Sequence, residues 1–74
     1  MNKAELFELV SIILEVDPSM ISESSTNNDI PSWDSMAHMA IISTIEERTG
    51  ELYSEEEIVE MLSVNEILKI LDLK

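Results

Sequence analysis

Three side chains that could take part in a chemical reaction lie close together in the sequence: Asp34, Ser35 and His38. On a helix, a serine and a histidine three positions apart are neighbours, so their hydroxyl and imidazole could form a nucleophilic pair. Acyl chemistry of this kind also needs donors that stabilise an oxyanion, often from a glycine-rich loop. The only glycine is Gly50, and a chain of 74 residues offers no obvious cleft. We therefore expect His38 to face solvent, and we expect no catalytic activity.

The same stretch suits the attachment of a phosphoryl group. The short carboxylate of Asp34 can accept a hydrogen bond from a free backbone N–H one turn along, which predicts a helix N-cap. Ser35 is then the first residue of the helix. Unpaired N–H groups and partial positive charge at a helix N-terminus favour phosphate, so the Ser35 hydroxyl is a sensible attachment point.

A metal site is a second candidate, since four carboxylates stand in or next to the segment 16–34: Asp17, Glu23, Asp29 and Asp34. A calcium loop of the EF-hand type needs closely alternating oxygen ligands and a central glycine, which this segment does not have. The chain contains no cysteine and one histidine, which excludes thiolate and multi-histidine metal sites. We expect weak divalent binding to an acidic surface and no dedicated site.

Sixteen acidic and four basic residues give a net charge of −12. Such a field repels nucleic acid and anionic membranes and attracts basic protein partners. The run Glu55–Glu57 with Glu60 suits the first turn of a helix and is interpreted as mainly structural. No apolar run approaches the ~20 residues of a membrane span, and residues 1–5 do not resemble a signal peptide. We expect one domain over residues 1–74, monomeric and cytoplasmic, without nucleic acid or stable membrane insertion.

Capping signals and apolar spacing predict four helices. The first begins after Asn2 and ends near Glu15, and the second runs from Ser35 to about Thr49, with Gly50 as its left-handed C-cap. Two short helices follow, each introduced by a serine and a glutamate three positions later, at Ser54 with Glu57 and at Ser63 with Glu66. The fold class is therefore all-α, a small four-helix bundle with a long loop between helices one and two.

The long loop is expected to be ordered, with one helical turn capped by Asp17 before Pro18. Five apolar residues could anchor it to the core: Val16, Met20, Ile21, Ile30 and Trp33. In the second helix the apolar arc is wider than one stripe, so some apolar surface near Ser35 should remain exposed. Met39 is assigned to the core. Met36 points less clearly inward, and an exposed methionine suits a surface that meets several partners.

Asp34-Ser35-Met36 at the head of the second helix, in an acidic, cysteine-free chain of this length and helix order, resembles the acyl carrier proteins. The family motif is Asp-Ser-Leu or Asp-Ser-Met, and its serine carries 4′-phosphopantetheine. The resemblance implies a fold of acyl-carrier type, with Ser35 as the attachment residue and Asp34 as motif residue and cap. It also implies that Met36, Glu46 and Glu47 contact partners.

The partners implied by this resemblance are a phosphopantetheinyl transferase, which loads the arm, and then acyl-loading, condensing and acyl-transfer enzymes. The carrier would hold acyl groups as thioesters during fatty-acid, polyketide or modified-lipid synthesis and would catalyse nothing itself. Two other functional hypotheses are kept as alternatives. One is an aminoacyl or peptidyl carrier, and the other is an acidic protein-interaction domain with no prosthetic group.

The chain departs from the family pattern in two places. Ser32 stands where a glycine usually precedes the motif aspartate by two residues. The family often has acidic residues early in the second helix, but here Ala37, His38 and Ala40 occupy that stretch. These departures favour a specialised carrier over one that serves housekeeping fatty-acid synthesis.

Overall fold

Capped α-helices make up most of the computed structural model, which describes residues 1–72. The helices are α1 (Lys3–Leu14), α2 (Ser35–Thr49), α3 (Glu55–Glu60) and α4 (Val64–Ile70), with one turn of 3-10 helix at Pro18–Met20. No β-strand occurs within residues 1–72. The Cα radius of gyration is 10.9 Å, and about 11 Å is expected of a compact domain of this length. Within these 72 residues, the all-α class and the count of four α-helices are confirmed.

Local capping chemistry sets the helix starts. Asn2 Oδ1 accepts a hydrogen bond from the Glu5 N–H at 2.8 Å, and the Glu5 carboxylate accepts one from the Asn2 N–H at 3.2 Å. Ser54 and Glu57 form the same reciprocal pair at the start of α3. Such pairs satisfy N–H groups that have no partner inside the helix.

A reciprocal pair was also predicted at the start of α4, and the prediction is correct for Ser63 but wrong for Glu66. The Ser63 hydroxyl does accept a hydrogen bond from the Glu66 N–H, at 3.2 Å. The Glu66 carboxylate, however, faces Lys69 Nζ at 3.4 Å. A lysine three positions along the helix offers this carboxylate a charged partner, and residues three apart on a helix are neighbours.

One apolar core joins α1, α2, α4, the C-cap of α3 and the segment between α1 and α2. Its buried members are Leu6, Leu9, Val10, Leu14, Ile21, Ile30, Trp33, Ile41, Ile42, Ile45, Met61, Val64, Ile67 and Leu68. Among the predicted anchors of the long segment, Ile21, Ile30 and Trp33 are buried, and Val16 is half-buried. The prediction for Met20 is wrong, because its side chain is 63% exposed and the adjacent Ile21 takes the inward position.

Hydrogen bonds order the start of the segment 15–34 and attach its end to α1. Near its start, the Asp17 carboxylate accepts a hydrogen bond from the Ser19 N–H, which lowers the pKa of Asp17, and this cap begins the predicted helical turn. Near its end, the Ser32 hydroxyl donates to the Leu14 carbonyl at 2.8 Å. Ser32 therefore ties the approach to α2 onto the end of α1.

The middle of this segment is joined to the start of α4. The Asn27 N–H donates to the Leu62 carbonyl at 3.0 Å, and the Val64 N–H donates to the Ser25 carbonyl at 2.9 Å. These bonds flank an isolated β-bridge between Thr26 and Ser63. The chain reaches the start of α2 along a path fixed by backbone contacts.

No helix within residues 1–72 combines the length and the apolar character needed to cross a membrane.

Candidate functional site

Ser35 is the first residue of α2, and its side chain is exposed. Asp34 caps the helix as predicted, since its Oδ1 accepts a hydrogen bond from the Ala37 N–H at 2.8 Å. The Asp34 carbonyl accepts a second hydrogen bond, from the His38 N–H, at 2.8 Å. The two bonds of Asp34 thus start the helix, and they leave the Ser35 side chain facing solvent.

His38 is buried, with 5% of its surface exposed, so the expectation of a solvent-facing histidine is wrong. The Trp33 indole N–H donates to His38 Nδ1 at 3.1 Å, and His38 Nε2 lies 2.7 Å from the Ile58 carbonyl oxygen. An indole N–H can only donate, so Nδ1 must present its lone pair, and the ring hydrogen is then on Nε2 and points to the carbonyl. These two partners satisfy a buried imidazole, which is why the side chain turns inward.

The hypothesis of a nucleophilic pair requires that a ring nitrogen of His38 can accept a hydrogen bond from the Ser35 hydroxyl. Both ring nitrogens of His38 are engaged, by Trp33 and by Ile58, so the imidazole has no free acceptor for the Ser35 hydroxyl. Instead, His38 joins three parts of the fold: the end of the segment 15–34, α2 and α3. Its role in this geometry is to hold these elements together.

An open groove of about 450 Å³ lies beside Ser35, between the start of α2 and α3. It is lined by Asn27, Trp33, Asp34, Ser35, His38, Met39, Ile58, Val59 and Leu62. The groove is open to solvent, so it is not the water-excluding cleft that catalysis by Ser35 and His38 would need. At this groove, His38 Nε2 on α2 lies 2.7 Å from the Ile58 carbonyl oxygen on α3. Most of its lining side chains are apolar, which suits an apolar ligand.

The two methionines near Ser35 are both accessible. Met36 is 85% exposed, and exposed apolar surface near Ser35 was predicted. The assignment of Met39 to the core is wrong, because it is 50% exposed and lines the groove. Each residue turns the helix by about 100°, so Met39 is rotated well away from the inward direction that His38 and Ile42 share.

The acidic residues at the end of α2 have different surroundings. The Glu46 carboxylate accepts a hydrogen bond from the Tyr53 N–H at 3.1 Å, so it stabilises the connection between α2 and α3. Glu47 is exposed. Tyr53 itself is half-buried, and this burial raises the pKa of its phenol. Both glutamates were expected to contact partners. The Glu46 carboxylate is engaged by the Tyr53 N–H, whereas Glu47 faces solvent.

Sequence reasoning missed the link from Trp33 through His38 to Ile58. The chain has one tryptophan and one histidine, five positions apart across the helix start, and that was the available signal. Trp33 was expected to anchor to the core, but this signal did not show that the His38 ring also faces inward, because the Ile58 carbonyl that it contacts comes from a distant part of the chain. Within residues 1–72, no three acidic, histidine or cysteine side chains come together as a metal site would require.

No protein-family model matches this chain, and no curated protein matches it closely enough to count as a relative.

Proposed function

We propose that this chain is an acyl carrier protein, with the Ser35 hydroxyl as the attachment point for 4′-phosphopantetheine. One observation carries the proposal: an exposed serine is the first residue of a 15-residue helix that Asp34 caps, at the edge of an apolar groove. The order of two long and two short helices, with a long ordered segment between α1 and α2, supports a four-helix bundle of acyl-carrier type.

The residues around Ser35 fit the proposed group. The hydroxyl is exposed, so a transferase can reach it, and the α2 N-terminus provides the partial positive charge that favours a phosphodiester. When bound, the group would supply a thiol that can form thioesters, and this chain has no cysteine of its own. Trp33, Ile58 and Leu62 would shelter the apolar part of an acyl chain in the adjacent groove.

The proposed partners follow from this role. They are a phosphopantetheinyl transferase and the enzymes that load, condense and transfer acyl groups, and the chain itself would be a monomeric, non-catalytic carrier in the cytoplasm. The uncharged start of α2 favours a specialised pathway, such as polyketide or modified-lipid synthesis, over housekeeping fatty-acid synthesis. An acidic interaction domain without a prosthetic group is the competing hypothesis.

Intact mass spectrometry tests the proposal. The protein is incubated with coenzyme A, magnesium and a broad-specificity phosphopantetheinyl transferase. We expect a gain of one phosphopantetheine in the wild type and none in Ser35→Ala. Ser43→Ala is the matched control, because Ser43 is an exposed serine on the same helix, and it should gain the group like the wild type. No gain in folded wild-type protein, or an equal gain in Ser35→Ala, would refute the attachment.

A further inference from the structure

Within residues 1–72, Asn27 is the polar residue of the groove wall whose side chain serves neither the fold nor the proposed attachment. Of the other polar lining residues, Asp34 caps α2 and Ser35 is the proposed attachment point. Both ring nitrogens of His38 have partners. The Asn27 carboxamide, in contrast, makes no hydrogen bond with any group in this part of the chain. Its N–H groups and its carbonyl oxygen are therefore available to a ligand.

Backbone contacts hold Asn27 in the wall of the groove. Its N–H donates to the carbonyl of Leu62, another lining residue, at 3.0 Å, and the β-bridge between Thr26 and Ser63 lies next to it. The side chain is half-buried. Within residues 1–72, no buried side-chain nitrogen or oxygen lacks a partner, so the unpaired carboxamide is accessible to solvent. Asn27 thus offers a polar group from a position that the fold has already ordered, which lowers the entropic cost of binding.

The surroundings of Asn27 favour a ligand that has both apolar and polar parts. Trp33, Ile58 and Leu62 give the groove an apolar wall. A fully saturated acyl chain would cover this wall, but it would also take water away from the Asn27 carboxamide and offer no hydrogen bond in return. A polar group left without a partner in this way is unfavourable. An acyl chain with a hydroxyl or keto oxygen replaces the lost hydrogen bond.

The charge of the groove favours a neutral polar group over an ionised one. Among the lining residues described, Asp34 is the acidic one, and none is a lysine or an arginine. A carboxylate on the ligand would be repelled by Asp34 and by the net charge of −12. An ammonium group would lose its water in a mostly apolar groove, while Asp34 is exposed and already accepts the Ala37 N–H.

We propose that Asn27 selects the acyl group, and that its carboxamide binds a neutral hydroxyl or keto oxygen on the β carbon of a short acyl chain carried by Ser35. The inference rests on the proposed carrier function, since Ser35 lines the same groove as Asn27. The β position follows from the chemistry of condensing enzymes, because joining two thioesters leaves an oxygen on the β carbon of the product. The cargo class is therefore a β-hydroxyacyl or β-ketoacyl group, in preference to a saturated fatty acyl chain.

Four matched acyl groups test this selection. A broad-specificity phosphopantetheinyl transferase loads the chain from the coenzyme A thioesters of hexanoyl, β-hydroxyhexanoyl, β-ketohexanoyl and β-aminohexanoyl groups, with both enantiomers of the hydroxy and amino forms. In each transfer the Ser35 oxygen bonds to the phosphorus of the acylated arm and displaces adenosine 3′,5′-bisphosphate. The four cargoes share one chain length and differ only at the β carbon. Intact mass measures the loading of each.

Nuclear magnetic resonance reads the Asn27 carboxamide directly. The chain has no glutamine, so the side-chain amide pairs in the proton–nitrogen spectrum come from Asn2, Asn27, Asn28 and Asn65. Asn28 is the matched control in the same spectrum, because it is adjacent, exposed and not a lining residue of the groove. Relative to the hexanoyl form, we expect the Asn27 pair to shift in the β-hydroxy and β-keto forms and the Asn28 pair to stay in place.

Protection of the thioester measures the size of the preference. The rate at which hydroxylamine cleaves the carrier-bound thioester is divided by the rate for the same acyl group on coenzyme A, which removes differences in intrinsic reactivity. A net hydrogen bond corresponds to about a two- to tenfold preference in occupancy, so the β-hydroxy and β-keto thioesters should be better protected than the hexanoyl thioester by that factor. Asn27→Leu should remove the preference, and Asn28→Leu should keep it. Circular dichroism during urea unfolding checks the fold of both variants.

The outcomes separate the carrier function from the selection by Asn27. If the wild type accepts none of the four arms, the carrier function fails and this inference fails with it. If the arms load but neither oxygenated form shifts the Asn27 pair, or if folded Asn27→Leu keeps the preference, the selection by Asn27 is refuted and the carrier function stands. Better protection of the β-amino form than of the β-hydroxy form would overturn the assignment of a neutral cargo. Should Asn27→Leu fail to fold, the wild-type spectra alone decide.

Discussion

The two sides of α2 differ in burial and in the contacts that they make. The inward side is formed by His38, Ile41, Ile42 and Ile45, all of which are buried. The outward side is formed by Ser35, Met36, Met39, Ala40 and Ser43, all of which are exposed. The inward side contacts the core and, through His38, the backbone of α3. The outward side makes no comparable contribution to packing, and its residues face solvent.

The difference between the sides is one of burial more than of hydrophobicity. Three residues are exceptions to the expected polarity, since Met36 and Met39 lie on the outward side and His38 lies on the inward one. A buried polar ring is stable only when its hydrogen bonds are satisfied, and His38 satisfies both. The exposed methionines make no such demand on the fold, so the fold does not explain their position beside Ser35.

The largest effect is expected on the inward side. His38→Leu removes the acceptor of the Trp33 N–H and the donor to the Ile58 carbonyl. Each buried polar group left without a partner costs about 1–3 kcal/mol, so the free energy of unfolding should fall by about 2–4 kcal/mol. Urea unfolding can be followed by the fluorescence of Trp33, the only tryptophan. The control Ser43→Ala should change the free energy by less than about 0.5 kcal/mol. Equal stabilities of the two variants would show that the His38 link is dispensable.

An intermediate effect is expected at the start of the helix, where the two sides meet. Asp34→Ala removes the cap on the Ala37 N–H and should lower the free energy of unfolding by about 1 kcal/mol. Asp34→Asn keeps a good capping side chain without the charge and should cost only a few tenths of a kcal/mol. Thermal and urea unfolding measure both changes. If the asparagine variant lost as much stability as the alanine variant, charge and not capping would be the main contribution of Asp34.

The smallest effect on stability is expected on the outward side. Met36→Glu places a charge on a side chain that is 85% exposed, in the first turn of a helix, where a carboxylate is favoured. The free energy of unfolding should change by less than about 0.5 kcal/mol, while phosphopantetheine transfer or acyl loading is impaired. Leu52→Glu is the control for charge added at an exposed apolar site that does not line the groove beside Ser35. Global unfolding of Met36→Glu would show that Met36 belongs to the core.

Local chemistry made much of the fold predictable. The start of α2 at Ser35 and its end before Gly50 were correct, because a capping aspartate and a glycine with a φ of 73° act within one turn of the chain. The capping pairs of α1 and α3 were correct for the same reason. The pair at Ser63 was correct only in part, because Glu66 has a competing neighbour in Lys69.

The candidate site was predictable in its centre and less so in its surroundings. Asp34, Ser35 and the exposed Met36 follow from their order at a helix start. The groove was not predicted, since its walls come from α2, α3 and the segment 15–34. Met20 and Met39 were misplaced because a flexible apolar side chain is compatible with core and surface alike, and helical spacing alone did not decide between them.

The sequence by itself determined where the four helices begin and where α1 and α2 end, that the chain is acidic, and that a serine stands at the head of α2. These features depend on contacts within a turn or on composition. Only the tertiary structure decided that His38 is buried, that Met39 is exposed and that a groove lies beside Ser35. The physical reason is that burial depends on which distant groups can satisfy or cover a side chain. For His38 one of those groups is the Ile58 carbonyl, twenty residues away in the sequence.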